Sequence, residues 1–220
     1  MRLTVFTAWI GMYDVSRPAP EFRRCGAVPG CRHRCVAFTD SGQTAPGWEV
    51  RRLMPSPDPK TTARMIKILS HRWFPDADAT IWLDGAMSMN APPTALLDWI
   101  AREDMAAFAH PSRDCAYTEG ERCVVKGKAG RQVISRQLSA YRAQGFPEHF
   151  GLVETGVVVR RHTEAVKELN EAWWEQVLRY SRRDQVSLPY VSWQKGLQIY
   201  RSIGSLIHHP WFTHHGHRGK

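Results

Sequence analysis

Asp84 follows the apolar run Thr80-Ile81-Trp82-Leu83 and precedes Gly85. An acid there is well placed to ligate a divalent cation carried on a diphosphate. The same residue type also suits a turn or a helix cap. Arg64, Lys67 and His71 fall at i, i+3 and i+7, opposite an apolar stripe of Met65, Ile66, Leu69 and Trp73. That spacing puts three basic groups on one helix face. Such a face can neutralise phosphates at a sheet edge, and taken alone it equally describes a solvated surface. Polar residues and glycines also gather beside other apolar runs: Thr7-Ala8-Trp9-Ile10-Gly11-Met12-Tyr13-Asp14, Phe38-Thr39-Asp40 and Glu154-Thr155-Gly156. Cys25, Cys31, His33 and Cys35 form a further set with the ligand types of a zinc site. It lacks the close cysteine pair that opens most zinc patterns, so free thiols in a loop are the default expectation.

These residues need strands and helices to carry them. Apolar strands are expected over residues 3–10, 35–38, 48–53, 80–83, 105–109 and 152–160, with a last one over 203–207. Helices are expected over 61–73, from Pro92-Pro93 (capped by Asn90) to about residue 102, over 117–125 and 132–144, from Thr163 onward with Val166, Leu169, Trp173 and Val177 on one face, and over 183–200 with a break near Pro189. Strands alternating with helices imply an α/β layer fold with a largely parallel sheet, in which ligands bind at the carboxyl ends of the strands. A proline-marked, basic, cysteine-containing loop spans 15–35, and a basic, histidine-rich tail spans 208–220. The expected organisation is one domain over 1–220.

The chain has 220 residues, 43% of them hydrophobic and 23% charged, enough for a real core and against disorder. No apolar run approaches the length of a membrane span, and the N-terminal residues read as a strand and not as a secretory signal. Five cysteines, an odd number, fit a reducing compartment, so a cytoplasmic location without a membrane partner is expected. A net charge of +9 favours an anionic partner, although many basic proteins use charge only for solubility. The excess is local: Arg122, Lys126, Lys128, Arg131, Arg136 and Arg142 occur in one stretch without an acid. Neither G-x-G-x-x-G, nor a P-loop, nor G-x-S-x-G is present, which disfavours dinucleotide dehydrogenases, P-loop NTPases and α/β-hydrolases.

Seven short motifs occur in order across roughly residues 3 to 195: Thr7-Ala8 to Asp14, Phe38-Thr39-Asp40, Ala63-Arg64-x-x-Lys67, Trp82-Leu83-Asp84-Gly85, His110-x-x-Arg113, Glu154-Thr155-Gly156-Val157 and Arg183-Asp184-Gln185. Together they resemble a glycosyltransferase-like domain family first catalogued without a function. That family takes in plant Golgi proteins linked to mucilage and cell-wall polysaccharide, one plant member described as an alkaline ceramidase, and many bacterial proteins. The broader resemblance is to GT-A glycosyltransferases. It implies a single-domain Rossmann-like GT-A fold and transfer of a sugar from a nucleoside diphosphate sugar to a hydroxyl acceptor. By this resemblance Thr7, Tyr13 and Asp40 lie near the nucleobase and ribose, with Ala8, Asp14 and Gly156 in the same donor-binding set. Arg64 and Lys67 lie near the diphosphate. Glu154, Asp184 and Gln185 face the sugar and acceptor as the catalytic group. Asp84 becomes the ligand of a manganese or magnesium ion. The second acid of the usual Asp-x-Asp motif is missing, since Gly85-Ala86 follows. Late histidines, His208 and His209 or His214 and His215, are candidates to complete the metal site. A flexible polar tail is the competing reading of those histidines.

Glycosyl transfer needs charge stabilisation of the leaving diphosphate and, for inversion, a base for the acceptor hydroxyl. Arg64, Lys67 and Asp84 can meet the first need, and Glu154 or Asp184 the second. Asp84 and Asp184 are expected to be essential for turnover and dispensable for folding. A different class remains open: a non-catalytic, basic nucleic-acid-binding protein, zinc-stabilised through the cysteine set. No RRM, KH, helix-turn-helix or C₂H₂ pattern supports it. An anionic acceptor, DNA or an acidic glycan, joins the two readings.

Overall fold

The computed structural model describes residues 1–21, 30–202 and 204–217. Strand β1 (Arg2–Trp9) is buried on both faces. Phe6 and Ala8 join one core, Leu3 and Val5 the other, as a near-continuous apolar strand does inside a sheet covered on both sides. Strand β2 (Arg32–Thr39) lies parallel on one flank of β1, followed outward by β3 (Glu49–Arg52). That edge strand is short and charged, which blunts its unpaired backbone. Helix α1 (Pro59–Ile68) opens on Asp58, whose side chain accepts the Thr61 N–H at 3.2 Å, with proline in its first turn. It stops at Leu69, and a short helix α2 (Ser70–Trp73) completes the segment expected as one helix.

The chain then crosses to the other side of β1 as β4 (Ala79–Leu83), again parallel. This reversal between β2 and β4 is a topological switch point, where ligand crevices of such sheets form. Beyond it come β5 (Met87–Met89), β6 (Met105–Ala109), α3 (Ala116–Val125), α4 (Arg131–Ala143), β7 (Val153–Arg161), α5 (Glu164–Arg179), α6 (Asp184–Lys195), β8 (Ile199–Ser202) and β9 (Phe212–His214). The central sheet has seven strands in the order β3-β2-β1-β4-β7-β6-β8. It is parallel except for β7, which runs antiparallel to both β4 and β6. The architecture is the α/β layer fold with a mostly parallel sheet that the strand and helix pattern predicts, and it is Rossmann-like, as the resemblance implies. One core, with Phe6, Trp82 and Val158, lies under Ile66 of α1, Trp173 of α5 and Val191 of α6; the other, with Val5, Ile81 and Val157, lies under Leu96, Trp99 and Phe212. No helix among the described residues is long and apolar enough to cross a membrane.

Several local expectations need correction. The segment after Pro92 forms only a 3₁₀ turn, Pro93–Leu96, followed by further turns. Its buried Leu96, Trp99 and Ile100 have helical spacing, yet a run of turns keeps the same side inward. Pro189 lies inside α6 without breaking it, because most of that helix is buried and packing outweighs one lost hydrogen bond. The last sheet strand is Ile199–Ser202, four residues earlier than expected at its start. Residues 32–35 belong to β2 and not to a loop. Of the cysteine set, Cys25 lies outside the described residues. Cys35 is buried, and burial pushes its thiol up to about 12.

Candidate active site

The carboxyl ends of β1, β2 and β4 point to one edge of the sheet. Because β7 runs the opposite way, its amino end reaches that same edge and delivers Glu154, Thr155 and Gly156 beside Asp84. The Asp84 N–H donates to the Gly156 carbonyl at 2.8 Å. A side chain at Gly156 would crowd the Leu206 Cδ2 atom, at 2.8 Å, and approach Asp84 Oδ2, at 3.6 Å. A Cβ there fits only if the Leu206 side chain gives way. Gly85 is tighter still: a Cβ there would sit 2.6 Å from Asp14 Oδ2 and 2.9 Å from the Ala8 carbonyl.

Asp184, the first residue of α6, is the centre of a buried ion-pair network. Lys67 Nζ donates to its Oδ2 at 2.6 Å, Arg64 Nε to its Oδ1 at 3.0 Å, and Thr155 Oγ1 to Oδ2 at 3.1 Å. Burial by itself would raise the carboxyl pKa; the charges of Arg64 and Lys67 outweigh it and hold Asp184 well below the usual carboxylate range. Asp184 in turn raises the Arg64 guanidinium pKa, with Asp84 and Tyr13 adding to the effect. Lys67 is 1% exposed, so the basic face expected on this helix is in part an interior one. Its ammonium also lies 3.7 Å from Asp84 Oδ1 and thus bridges the two aspartates.

Asp84 is different. Its side chain is 38% exposed, and its Oδ1 accepts the Trp82 Nε1–H at 2.6 Å. Asp14 faces it from the turn after β1, paired with His217 Nδ1 at 2.6 Å. Burial pushes the Asp14 carboxyl up, partly offset by His217 and reinforced by Asp84. The Tyr13 and His217 rings lie tilted at 34° with centroids 4.4 Å apart, and Lys60 Nζ lies over the Tyr13 ring at 5.8 Å. Glu154 accepts the Leu206 N–H at 3.0 Å, and burial raises its carboxyl pKa against the pull of Arg113 and His208.

Asp14, Tyr13, Arg64, Lys67, Asp84, Glu154, Gly156 and Asp184 therefore share the strand-end region predicted from the sequence, with Gln185 half-buried next to Asp184. Asp40 has a supporting contact: it accepts the Gly11 N–H at 2.9 Å and fixes the left-handed turn (φ +66°) after β1. Thr7 and Ala8 are buried within β1, and the Thr7 hydroxyl meets no partner among the described residues. The late histidines divide. His208 is exposed and electrostatically coupled to Glu154, while His209 packs against Phe108, Trp211 and Phe212. The tail histidine that touches the site is His217, held there by the β5–β9 pairing and by the His215 N–H on the Ala86 carbonyl at 2.8 Å. Nothing in a histidine-rich tail distinguishes that one ring by sequence. The hydrogen bond from Thr155 to Asp184 is likewise visible only once β7 and α6 are docked.

Among the described residues no three histidine, cysteine, aspartate or glutamate side chains converge closely enough to hold a metal ion. The Lys67 ammonium and the Trp82 indole N–H both face Asp84 Oδ1, and no further acids or histidines among the described residues converge with it closely enough, so the donors present do not by themselves make a preformed divalent-ion site.

Residues 46–202 match the model of the TOD1/MUCI70 glycosyltransferase-like domain. The match takes in the Arg64–Lys67 helix, Asp84, Glu154 and Asp184, but not β1 and β2 with Thr7, Tyr13, Asp14 and Asp40. A curated relative, the probable hexosyltransferase MUCI70 of Arabidopsis thaliana, is 26% identical over 149 residues, covering 63% of this chain and 26% of that protein. The chain thus matches about a quarter of the length of that relative. With a family match over most of its length and the ion-paired strand-end site inside it, the chain belongs to the TOD1/MUCI70 glycosyltransferase-like family.

Proposed function

We propose that this protein transfers a sugar from a nucleoside diphosphate sugar to a hydroxyl acceptor, with its site at the carboxyl edge of β1 and β4. The observation that carries the reading is the pairing of an accessible carboxylate, Asp84, with the α1 cations Arg64 and Lys67 at a topological switch point. Developing negative charge on a departing diphosphate is stabilised by cations fixed in advance, and the Asp184 network holds Arg64 and Lys67 in place before any ligand arrives. Tyr13 and Lys60 supply a ring and a charge on the side of β1 assigned to the nucleobase and ribose. Glu154, half-buried beside Asp84 with burial raising its carboxyl pKa, is the candidate base for the acceptor hydroxyl. In this reading Asp184 orients the cations and does not take the proton, since all its strong contacts are already made. A manganese or magnesium ion belongs to the proposal only as one brought by the diphosphate to Asp84.

The family assignment and the hexosyltransferase relative support the sugar-transfer class. An anionic acceptor is favoured by the α3–α4 face, where Arg122, Lys126, Lys128, Arg131, Arg136 and Arg142 are all exposed. Thermal shift against UDP, GDP, ADP and CDP, with and without manganese, followed by hydrolysis of the corresponding sugar conjugates, tests the reading. One nucleotide is expected to stabilise the protein clearly. No shift with any of them at millimolar concentration, together with salt-sensitive binding of DNA, would leave the non-catalytic nucleic-acid reading in its place.

A further inference from the structure

Helices α3 and α4 form a hairpin across the turn 126–130. They touch most closely at Gly120, where a Cβ would stand 3.0 Å from Leu138 Cδ1 and 3.2 Å from Ile134 Cγ2. Beside that contact the two helices leave an open groove of about 420 Å³. Its floor is aliphatic. Ile134 and Leu138 are buried at its base, and Val124 and Val125 form the α3 wall, with Val125 72% exposed. On α4 the facing stripe carries Ser135 and Ser139, one turn apart, so no large side chain fills the space. Arg131 and Arg142 stand at the two ends of that stripe, about 16 Å apart along the helix axis. Arg142 lies over the Tyr117 ring and has only a long, exposed contact with Glu148, at 3.8 Å. Arg131, with Arg122, Lys126 and Lys128 on the same hairpin, makes no ion pair among the described residues. Glu121 is the one acid on the lining.

We infer that this groove docks an acidic amphipathic helix of a partner protein, with its apolar face on the valine wall and the Ile134–Leu138 floor and its carboxylates on Arg131 and Arg142. The cations at the two ends select acids, and the aliphatic floor selects apolar side chains between them. Acids spaced as Arg131 and Arg142 are on α4, with apolar residues on the turns between, present that pattern on one face of a helix. A second copy of this chain is a poor occupant, because its net charge of +9 repels another positive face. A nucleic acid would meet the same cations, but no aromatic ring lines the groove for its bases to stack on. The inference goes beyond the transferase reading and does not rest on it. The cations of this face draw polyanions in general, and the apolar groove between them is what specifies a helix.

The probe is a synthetic helix-forming peptide of about 18 residues, with glutamates at the Arg131–Arg142 spacing and leucines between them. Two control peptides carry lysine in place of glutamate and serine in place of leucine. Binding to the full chain is measured by calorimetry and by methyl resonances. The acidic peptide is expected to shift the methyl signals of Val124, Val125, Ile134 and Leu138, and each control to bind about tenfold or more weakly. Val125→Ser and Arg131→Gln should each weaken the acidic peptide by about fivefold to tenfold. Both positions are exposed, so these variants keep the fold. Glu121→Gln, which removes the one acid of the lining, should tighten binding by about twofold. Lys195→Gln, at an exposed pair with Glu168, should bind as wild type does. No binding at millimolar peptide, or methyl shifts confined to other surfaces, overturns the inference. Duplex DNA or polygalacturonate that displaces the peptide and binds Val125→Ser as tightly as wild type also overturns it, and gives the face to a polyanion. Nucleoside diphosphate affinity should be unchanged in Val125→Ser, so failure of peptide binding and failure of the transferase reading are separately visible.

Discussion

Asp84 and Asp184 are joined through one ammonium, yet their surroundings predict different consequences of neutralising them. Asp184→Asn leaves Lys67 and Arg64 with most of their counter-charge gone in a buried setting, so a loss of about 3–5 kcal/mol in denaturant unfolding is expected. Folding and turnover are thus tied together at Asp184, where the sequence alone suggests a residue serving turnover only. Asp84→Asn alters a partly exposed carboxylate and should unfold near the wild-type midpoint. It should weaken nucleoside diphosphate binding in manganese by about tenfold, measured calorimetrically. Equal affinity would remove Asp84 from donor binding. Glu154→Gln keeps an acceptor for the Leu206 N–H but has no proton-accepting carboxylate, so it should fold normally and lose about 10²-fold in kcat.

At the scale of elements, the tight approach of the β4–β5 turn to β1 gives the next prediction. Gly85→Ala places a methyl group against Asp14 and the Ala8 carbonyl, and the carbonyl cannot yield. A cost of about 1–3 kcal/mol is expected, with weaker nucleotide binding because Asp14 is pushed aside. This crowding also shows what the sequence could reveal. That an aspartate and a glycine stand at the end of a buried strand, on the edge of the sheet where ligand crevices form, was legible because an apolar run this short ends where its polar residues begin. The basic periodicity of α1 was legible too, but not that Lys67 faces inward, since a lysine buried against an acid far along the chain has the same spacing as a solvated one. The direction of β7 was hidden for a related reason: a valine-rich strand buried on both faces reads alike in either orientation. The pairing of β5 with β9 was also missed, because three-residue strands leave no periodicity to find.

For the whole molecule, pH gives a measurable signature. His162 is held neutral down to about 4, by burial first and by Arg160 second, against an ordinary value of 6.5. As pH falls from 6.5 towards 4, the unfolded chain takes up a proton at this residue that the folded chain refuses. Stability contributed by the neutral ring is therefore complete above 6.5 and declines through that window, by about 2 kcal/mol between pH 7 and pH 5. His162→Gln should flatten this part of the stability–pH curve; an unchanged slope would assign the acid sensitivity to other histidines. The inverted strand has a consequence of another kind, for the order in which the protein can be made. β4, apolar and buried along its whole length, has its second edge covered only by β7, which is synthesised long after it, and β6 cannot substitute because it pairs with the far side of β7. During translation the emerging half-sheet must therefore carry an open, sticky flank until Val153–Arg161 leaves the ribosome. Ribosome-bound chains halted before that point should recruit a nascent-chain chaperone, and those halted well after it should not.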